Sequence, residues 1–252
     1  MNYITLVYPY YEAPRMLKLQ LDSWGKIPEP YKSHIRLILV DDASPRFPAK
    51  LVILQHGVET LPQFKLYRVL QDIPWNQHGA RNLGAMEAET DWLFMSDIDH
   101  TLPLASIQAM VEMDLDREKH YTFGRLTATD TGHSGVVFSP MLDNTGRAKP
   151  HPNTFLATKE AFWAAGGYDE DYCGTYGGDG PFHRWLQRVS IREHLPDVQV
   201  VRWPREVVPD ASRPQEERDK YKPLYRPLFD SKGGGKAGKP RSWVRFPWRR
   251  EL

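Results

Sequence analysis

The chain is expected to fold as an α/β domain on a mostly parallel, Rossmann-like sheet flanked by helices. Three observations lead there: β-like apolar runs alternate with helical patterns, the units have strand–helix–strand size, and two of the runs end directly in paired acids. Open sheets of that kind bind ligands where the carboxyl ends of their strands become loops. Ile4 to Val7 reads as a short buried strand. Pro14 to Trp24 reads as a helix, with Met16, Leu17, Leu21 and Trp24 at helical spacing. Ile35 to Val40 is a second strand, Phe64 to Leu70 an alternating third, and Gly79 to Glu89 a helix with Ala80, Leu83, Gly84 and Ala88 on one face. Trp92 to Ser96 is a fourth strand, followed by a helix near Leu104 to Leu115 and a strand near Tyr121.

The stretch Thr127 to Asn153, rich in Gly, Pro, Asp, Asn and Ser, reads as one long loop. Order is expected to resume at Thr154 to Thr158, with helices at Lys159 to Ala165 and Pro181 to Val189 on either side of a Gly-rich loop. Beyond Pro204 no periodicity is visible, and Gly233 to Pro240 has linker composition. The expected organisation is therefore a catalytic domain over residues 1–204, divided near residue 100 into a nucleotide-binding and an acceptor half. An extension over 205–252 would follow it, basic and partly disordered from Ser231.

Composition narrows the class. With 252 residues, 40% of them hydrophobic, the chain can bury a full core, and it has no apolar run of the ~18 residues a membrane helix needs. Cys173 is the sole cysteine, so no internal disulfide can form; with no basic leader at Met1, the expected location is cytoplasmic. The net charge of +1 hides a basic end: Ser231 to Leu252 carries seven Lys or Arg against Glu251 alone. Trp and Phe are interleaved with those cations, a composition suited to an anionic surface such as nucleic acid or an acidic membrane.

The chemistry is concentrated in four segments. Trp92-Leu-Phe-Met-Ser-Asp-Ile-Asp99 is an apolar strand that delivers Asp97 and Asp99 into a loop, a seat for a hard divalent cation such as Mg²⁺ or Mn²⁺ that also holds phosphates. Ile35-Arg-Leu-Ile-Leu-Val-Asp-Asp-Ala-Ser44 ends a strand in Asp41 and Asp42. One carboxylate there can accept the imide N–H of a pyrimidine, and the other is expected to cap the turn. Trp75-Asn-Gln-His-Gly-Ala-Arg-Asn-Leu-Gly84 opens a helix with Arg81 in its first turn, where a fork of donors can reach a base or phosphates. Last comes Phe162-Trp-Ala-Ala-Gly-Gly-Tyr-Asp-Glu170, followed by Thr175-Tyr-Gly-Gly-Asp179. A carboxylate in that Gly-rich loop can deprotonate an acceptor hydroxyl, although Asp179 also stands where it could cap the helix beginning at Pro181.

In this order and spacing, from Ile4 to Trp185, the segments resemble the GT-A glycosyltransferases: family 2 in the first half and the galactosyltransferase-like Gly-Gly-Glu-Asp region in the second. The resemblance implies a UDP-hexose donor, with Pro9, Asp41, Asp42, Arg81 and Asp97 around the nucleotide-sugar. It implies Mn²⁺ or Mg²⁺ on Asp99, with Asp97 on the metal or on sugar and ribose hydroxyls, and a histidine as third ligand. His194, His151 and His183 are the candidates, His194 being the one adopted. Asp179 is the implied general base, and the acceptor is a hydroxyl of a glycan, a glycolipid or a hydroxymethylated DNA base. The chain departs from the pattern in having Gly180, not a second acid, after Asp179, which leaves the stereochemical outcome open.

Trp75, Tyr168, Tyr172 and Tyr176 offer stacking faces, Tyr176 being the best placed for an acceptor; Trp163 is assigned to the core. A nucleotidyltransferase would need a Gly- and Lys/Arg-rich phosphate loop after the first strand, and Tyr8-Pro-Tyr-Tyr-Glu12 is not one. A non-catalytic nucleotide-sugar or nucleic-acid-binding module is the other class that the motifs allow.

Overall fold

A computed structural model describes residues 1–132, 135–240 and 243–252. The first half is built from β1 (Ile4–Tyr10), α1 (Pro14–Gly25), α2 (Tyr31–His34), β2 (Ile35–Asp41), α3 (Ala49–His56), β3 (Gln63–Val69), α4 (Gln77–Glu87) and β4 (Trp92–Met95). β5 (His100–Thr101), α5 (Leu104–Glu112), β6 (Lys119–Asp130), β7 (Val136–Pro140), β8 (Phe155–Thr158) and α6 (Lys159–Ala164) follow. α7 (Asp179–Val189), β9 (Ile191–Arg202), α8 (Gln215–Ser231) and β10 (Trp248–Arg250) complete the chain.

The strands form one sheet in the order β10-β3-β2-β1-β4-β8-β6-β9-β5, with β7 paired to β6. From β3 to β4 the pairing is parallel, as the alternation of strands and helices predicts. Beyond β4 it is mixed: β8 is antiparallel to both β4 and β6, while β6 and β9 are parallel. β1 shows why the centre holds. Leu6 and Tyr8 face one apolar layer with Met16, Leu17 and Trp24 of α1, whereas Val7 faces the other with Ala80 and Leu83 of α4. A strand buried on both faces must be apolar at successive positions, which is why the run gives a clear signal.

Register then sets the site. Tyr10 lies opposite Asp41 and Val7 opposite Met95, so β1, β2 and β4 end along one edge of the sheet. The backbone N–H of Asp42 donates to Tyr10 O at 2.9 Å and that of Ser96 to Val7 O at 3.2 Å, which carries the register one residue past each strand.

Two expectations are corrected. Thr127 to Asn153 is not one loop: β6 runs to Asp130 and turns back as β7, an edge hairpin with Leu126 opposite Pro140. Its Val136, Val137 and Phe138 are exposed, so burial never imposed a strand-like alternation on the sequence. His133 and Ser134 of that stretch lie outside the described residues, as do Arg241 and Ser242 of the basic tail.

The second correction concerns the end of the chain, which is neither a separate extension nor a free arm. β10 adds antiparallel to β3, with Trp248 opposite Val69 and Arg250 opposite Tyr67. Phe246 is buried against α4, at a point where a Cβ on Gly79 would stand 2.1 Å from its ring, so only glycine lets the two approach. The backbone N–H groups of Val244 and Arg245 donate to the buried Glu170 carboxylate at 2.6 and 3.0 Å. Ahead of them, the Gly-rich piece expected to be disordered forms a 3₁₀ turn at Gly234–Lys236. The anchors are close in sequence but their partners, β3, Gly79 and Glu170, are not, so no local periodicity marks them.

Candidate active site

A cavity of about 400 Å³ opens along the edge where β1, β2 and β4 end. Pro9, Tyr10 and Tyr11 line it from β1, Asp42 from β2, and Asp97, Ile98 and Asp99 from β4. The Gly-rich loop contributes Tyr176 and Gly177, and α7 contributes Asp179. Its remaining wall includes His151, Arg202, Arg213 and Arg218.

The paired acids of β2 divide their work. Asp41 is fully buried and accepts from Ser44 N at 2.8 Å, Ala49 N at 2.9 Å and Arg68 Nη1 at 2.7 Å. It caps the turn and the start of α3 and, unlike Asp42, is not part of the cavity wall. Asp42 does line the cavity, where its Oδ1 accepts from Asn76 Nδ2 at 2.9 Å. Burial pushes its carboxyl up to about 7, against the opposing pull of that hydrogen bond and of Arg213.

At the end of β4, Asp97 Oδ1 accepts from Arg81 Nη2, and its Oδ2 stands 3.7 Å from His151 Nε2. Asp99 Oδ1 accepts from His100 Nδ1 at 2.7 Å. Each acid thus has one oxygen held by the protein and another with no hydrogen bond among the described residues. Burial raises the Asp97 carboxyl, with Arg81 opposing. Burial pushes His151 well below the ordinary imidazole range, assisted by the charges of His100, Arg125 and Arg81, a direction that favours the neutral ring a metal ligand needs. Its Nδ1 lies 3.3 Å from Thr154 Oγ1, a contact that fixes the ring plane.

No three His, Cys, Asp or Glu side chains among the described residues are already gathered closely enough to enclose a metal. Two carboxylate oxygens and a neutral imidazole facing one polar cavity nevertheless fit Mg²⁺ or Mn²⁺, which commonly takes one or two carboxylates and completes its shell with phosphate and water. His194 is not part of this group. It sits on β9 opposite Thr122, at the other end of the strand from Arg202, with Nδ1 3.2 Å from Thr122 Oγ1. His183 is also away from the cavity wall: it packs edge-on against Phe155, and burial pushes it down to about 4.

Arg81 lies beneath the cavity. It has no exposed surface and is not part of the cavity wall; its guanidinium joins Asp97 to Asp179, the latter at 3.3 Å, and lies 5.1 Å over the Tyr168 ring. Asp179 also accepts from His78 Nε2 at 3.2 Å. Burial alone would raise the Asp179 carboxyl, but the His78 bond and the Arg81 charge outweigh it and hold the group well below the carboxylate range. The helix-capping alternative is not realised, since Asp179 is itself the first residue of α7 and makes no side-chain cap. Gly178 turns the chain into α7 at φ 92°, and a Cβ there would stand 2.6 Å from His78.

Among the aromatic candidates, Trp75 and Tyr176 meet edge to face at 4.8 Å and line the cavity. Tyr168 and Tyr172 are fully buried, and Trp163 packs against Phe162 and Trp243. Residue-by-residue reading missed His78, His100, Arg202, Arg213 and Arg218. The Asp99-His100 dipeptide was a usable signal for one of them; the arginines come from segments with no pattern.

The model for the family described as "Glycosyl transferase family 2" matches residues 5–173. The chain belongs to that family. No curated protein matches the sequence. Among solved structures, GalNAc-T7 with UDP, GalNAc and Mn²⁺ is similar at 15% identity and a TM-score of 0.60, over 81% of this chain and 44% of that one. The mannosyltransferase PcManGT from Pyrobaculum calidifontis, in complex with GDP-Man and Mn²⁺, is similar at 14% identity and 0.61, over 94% and 66%. TarS 1-349 of S. aureus in complex with UDP-GlcNAc is similar at 14% and 0.59, over 88% and 64%. These likenesses show a GT-A fold in this family 2 chain, which spans 44 to 66% of the length of those relatives.

Proposed function

We propose that the chain transfers a hexose from a nucleotide-sugar, UDP-hexose first among the donors, to a hydroxyl acceptor in a reaction that needs Mn²⁺ or Mg²⁺. The observation that carries this reading is the placement of Asp42, Asp97, Asp99 and Asp179 around one cavity in a family 2 chain. The three similar structures, which hold UDP, GDP-Man or UDP-GlcNAc, two of them with Mn²⁺, support a donor of this class.

In this reading Pro9 and Tyr11 border the nucleoside and Asp42 reads the edge of its base. Asp97 and Asp99 hold the metal, with His151 in the place first given to His194. A cation held there would supply positive charge against the diphosphate leaving group. Asp179 takes the proton of the acceptor hydroxyl, with Arg81 and His78 fixing its carboxylate; a base so acidic gains driving force only as the hydroxyl begins to bond to the sugar. Tyr176 supplies the acceptor platform.

The acceptor is a glycan, a glycolipid or a hydroxymethylated base in DNA. The basic tail favours an anionic acceptor less than its composition suggests, because Trp248 and Phe246 face the protein and not a ligand. Among the described residues no helix is long and apolar enough to cross a membrane. Incubating the purified protein with Mn²⁺ and a panel of UDP-, GDP- and TDP-sugars, and measuring nucleoside diphosphate release, tests the reading. Release from one class that disappears with chelator is the expected result; no release from any of them contradicts it.

A further inference from the structure

The guanidinium of Arg213 lies 4.1 Å from the centre of the Tyr11 ring and 4.4 Å from that of Trp75, so a planar cation is packed against two aromatic faces. Both rings and Arg213 line the cavity next to Asp42, and the Arg213 charge acts on that carboxyl. Two stacking faces and a carboxyl at the edge are what a planar, hydrogen-bonding heterocycle requires. Trp75 holds its place with φ at 55°, a conformation that costs a non-glycine residue energy and persists only where its surroundings dictate it.

Arg213 reaches this place from a short segment fixed at both ends. On one side the Asp210 carboxylate accepts from the backbone N–H groups of Arg15 and Met16 at 2.7 and 3.0 Å, closing the first turn of α1. On the other, Arg213 Nη1 donates to Glu217 in the first turn of α8 at 2.8 Å. The Asp210 contacts hold the segment's backbone at one end, and α8 begins at Gln215 on the other, so moving the guanidinium off the two rings requires only rotation about the side chain's own torsions and exchange of its single carboxylate partner, Glu217.

We propose that Arg213 is a built-in occupant of the nucleobase slot, and that the donor's base binds by displacing its guanidinium from between Tyr11 and Trp75. This rests on the nucleotide-sugar reading above and adds to it a residue that opposes donor binding. A base that stacks poorly, or cannot pair with Asp42, leaves Arg213 in place. The residue thus sets a threshold that a correct nucleotide must exceed, a form of specificity built from an alternative occupant.

The test is calorimetric titration of uridine, guanosine, UDP and GDP into the full-length wild type, Arg213→Ala and Arg213→Lys. Uridine and guanosine carry no phosphate, so a direct contact between Arg213 and diphosphate does not enter their affinities. Removing the competitor is expected to tighten the preferred nucleoside about tenfold in Arg213→Ala, with Arg213→Lys in between because an ammonium stacks less well than a guanidinium. Thermal melts accompany the titrations, since a residue that merely supports the fold cannot raise affinity when removed. Equal or weaker nucleoside binding in Arg213→Ala overturns the proposal. Failure of the donor reading looks different: no nucleoside or nucleotide binds to any of the three proteins, and the proposal falls with it.

Discussion

At the end of β2, Asp41 directs both carboxylate oxygens into the fold and its neighbour Asp42 turns to the cavity. At the end of β4, Asp97 and Asp99 each give one oxygen to the protein and keep the other for the cavity. Asp41 is the last residue of β2 and turns inward while Asp42, just past it, lines the cavity; Asp97 and Asp99 lie beyond β4 in a turn closed by His100 N–H to Asp97 O at 3.1 Å, and both line the cavity. The two strand ends thus present a structural cap plus one cavity-facing acid in one case and two cavity-facing acids in the other. The comparison teaches that the spacing of acids at a strand end carries more information than their number.

Breaking the β4 pair is expected to have the largest effect. Asp99→Asn removes a charge from the place where a cation meets a diphosphate, and Mn²⁺-dependent diphosphate release should fall below detection while the circular dichroism melt is retained. Substituting the base should be the next most damaging: Asp179→Asn is expected to lower transfer by about a hundredfold or more with UDP affinity nearly intact. Comparable loss of UDP affinity in a titration would instead assign Asp179 to the donor.

The β2 pair should separate into stability and binding. Asp41→Ala leaves Arg68 and two backbone N–H groups without their partner, and urea unfolding should show a loss of about 3 kcal/mol. Asp42 behaves in the opposite way, because its carboxyl, raised to about 7, is costly to ionise in place. With an unfolded value near 3.9, the folded state holds the extra proton between the two, so this group's contribution is complete below about pH 4 and lost as pH rises through about 7. Asp42→Asn should therefore gain about 2 to 3 kcal/mol more over wild type at pH 8 than at pH 5, by melts at both values. Yet Asp42→Ala should weaken UDP roughly tenfold, since leaving a buried polar edge of the base without its partner costs about 1 to 3 kcal/mol. A variant that gains stability and loses affinity would mark Asp42 as a functional residue; no change in UDP affinity would reduce it to a turn residue.

The same contrast explains what was legible in the sequence. β1, β2, β3, β4 and α4 were visible because both faces of the parallel sheet are buried, so each strand is apolar and each helix has one apolar face. Asp42, Asp97 and Asp99 stood out because they directly follow apolar strands, and Asp179 because it closes a Gly-rich loop at the start of a helix. β7, β9 and β10 were not, since their backbones are held by other strands and many of their side chains are exposed or half buried; α8 was not, since none of its residues is buried and Pro223 and Pro227 interrupt it, and α3 is only eight residues long. His151 could not be separated from His194 and His183 by spacing, because the contact that distinguishes it, 3.7 Å to Asp97, crosses from one strand end to another loop. Arg213 and Arg218 carried no signal at all, being part of a segment without hydrophobic period.

The most direct test of the account is the coupling between metal and nucleotide. Asp97 and Asp99 alone leave an ion's shell incomplete, so Mn²⁺ should bind weakly to the free protein and much more tightly with UDP present; by linkage UDP should tighten by the same factor with Mn²⁺. Measuring Mn²⁺ affinity by electron paramagnetic resonance with and without UDP, in wild type, Asp42→Ala and Asp99→Asn, reads this coupling. The account predicts strong coupling in wild type, retained coupling at weaker UDP affinity in Asp42→Ala, and none in Asp99→Asn. Equal Mn²⁺ affinity with and without UDP in the wild type would contradict a single shared site.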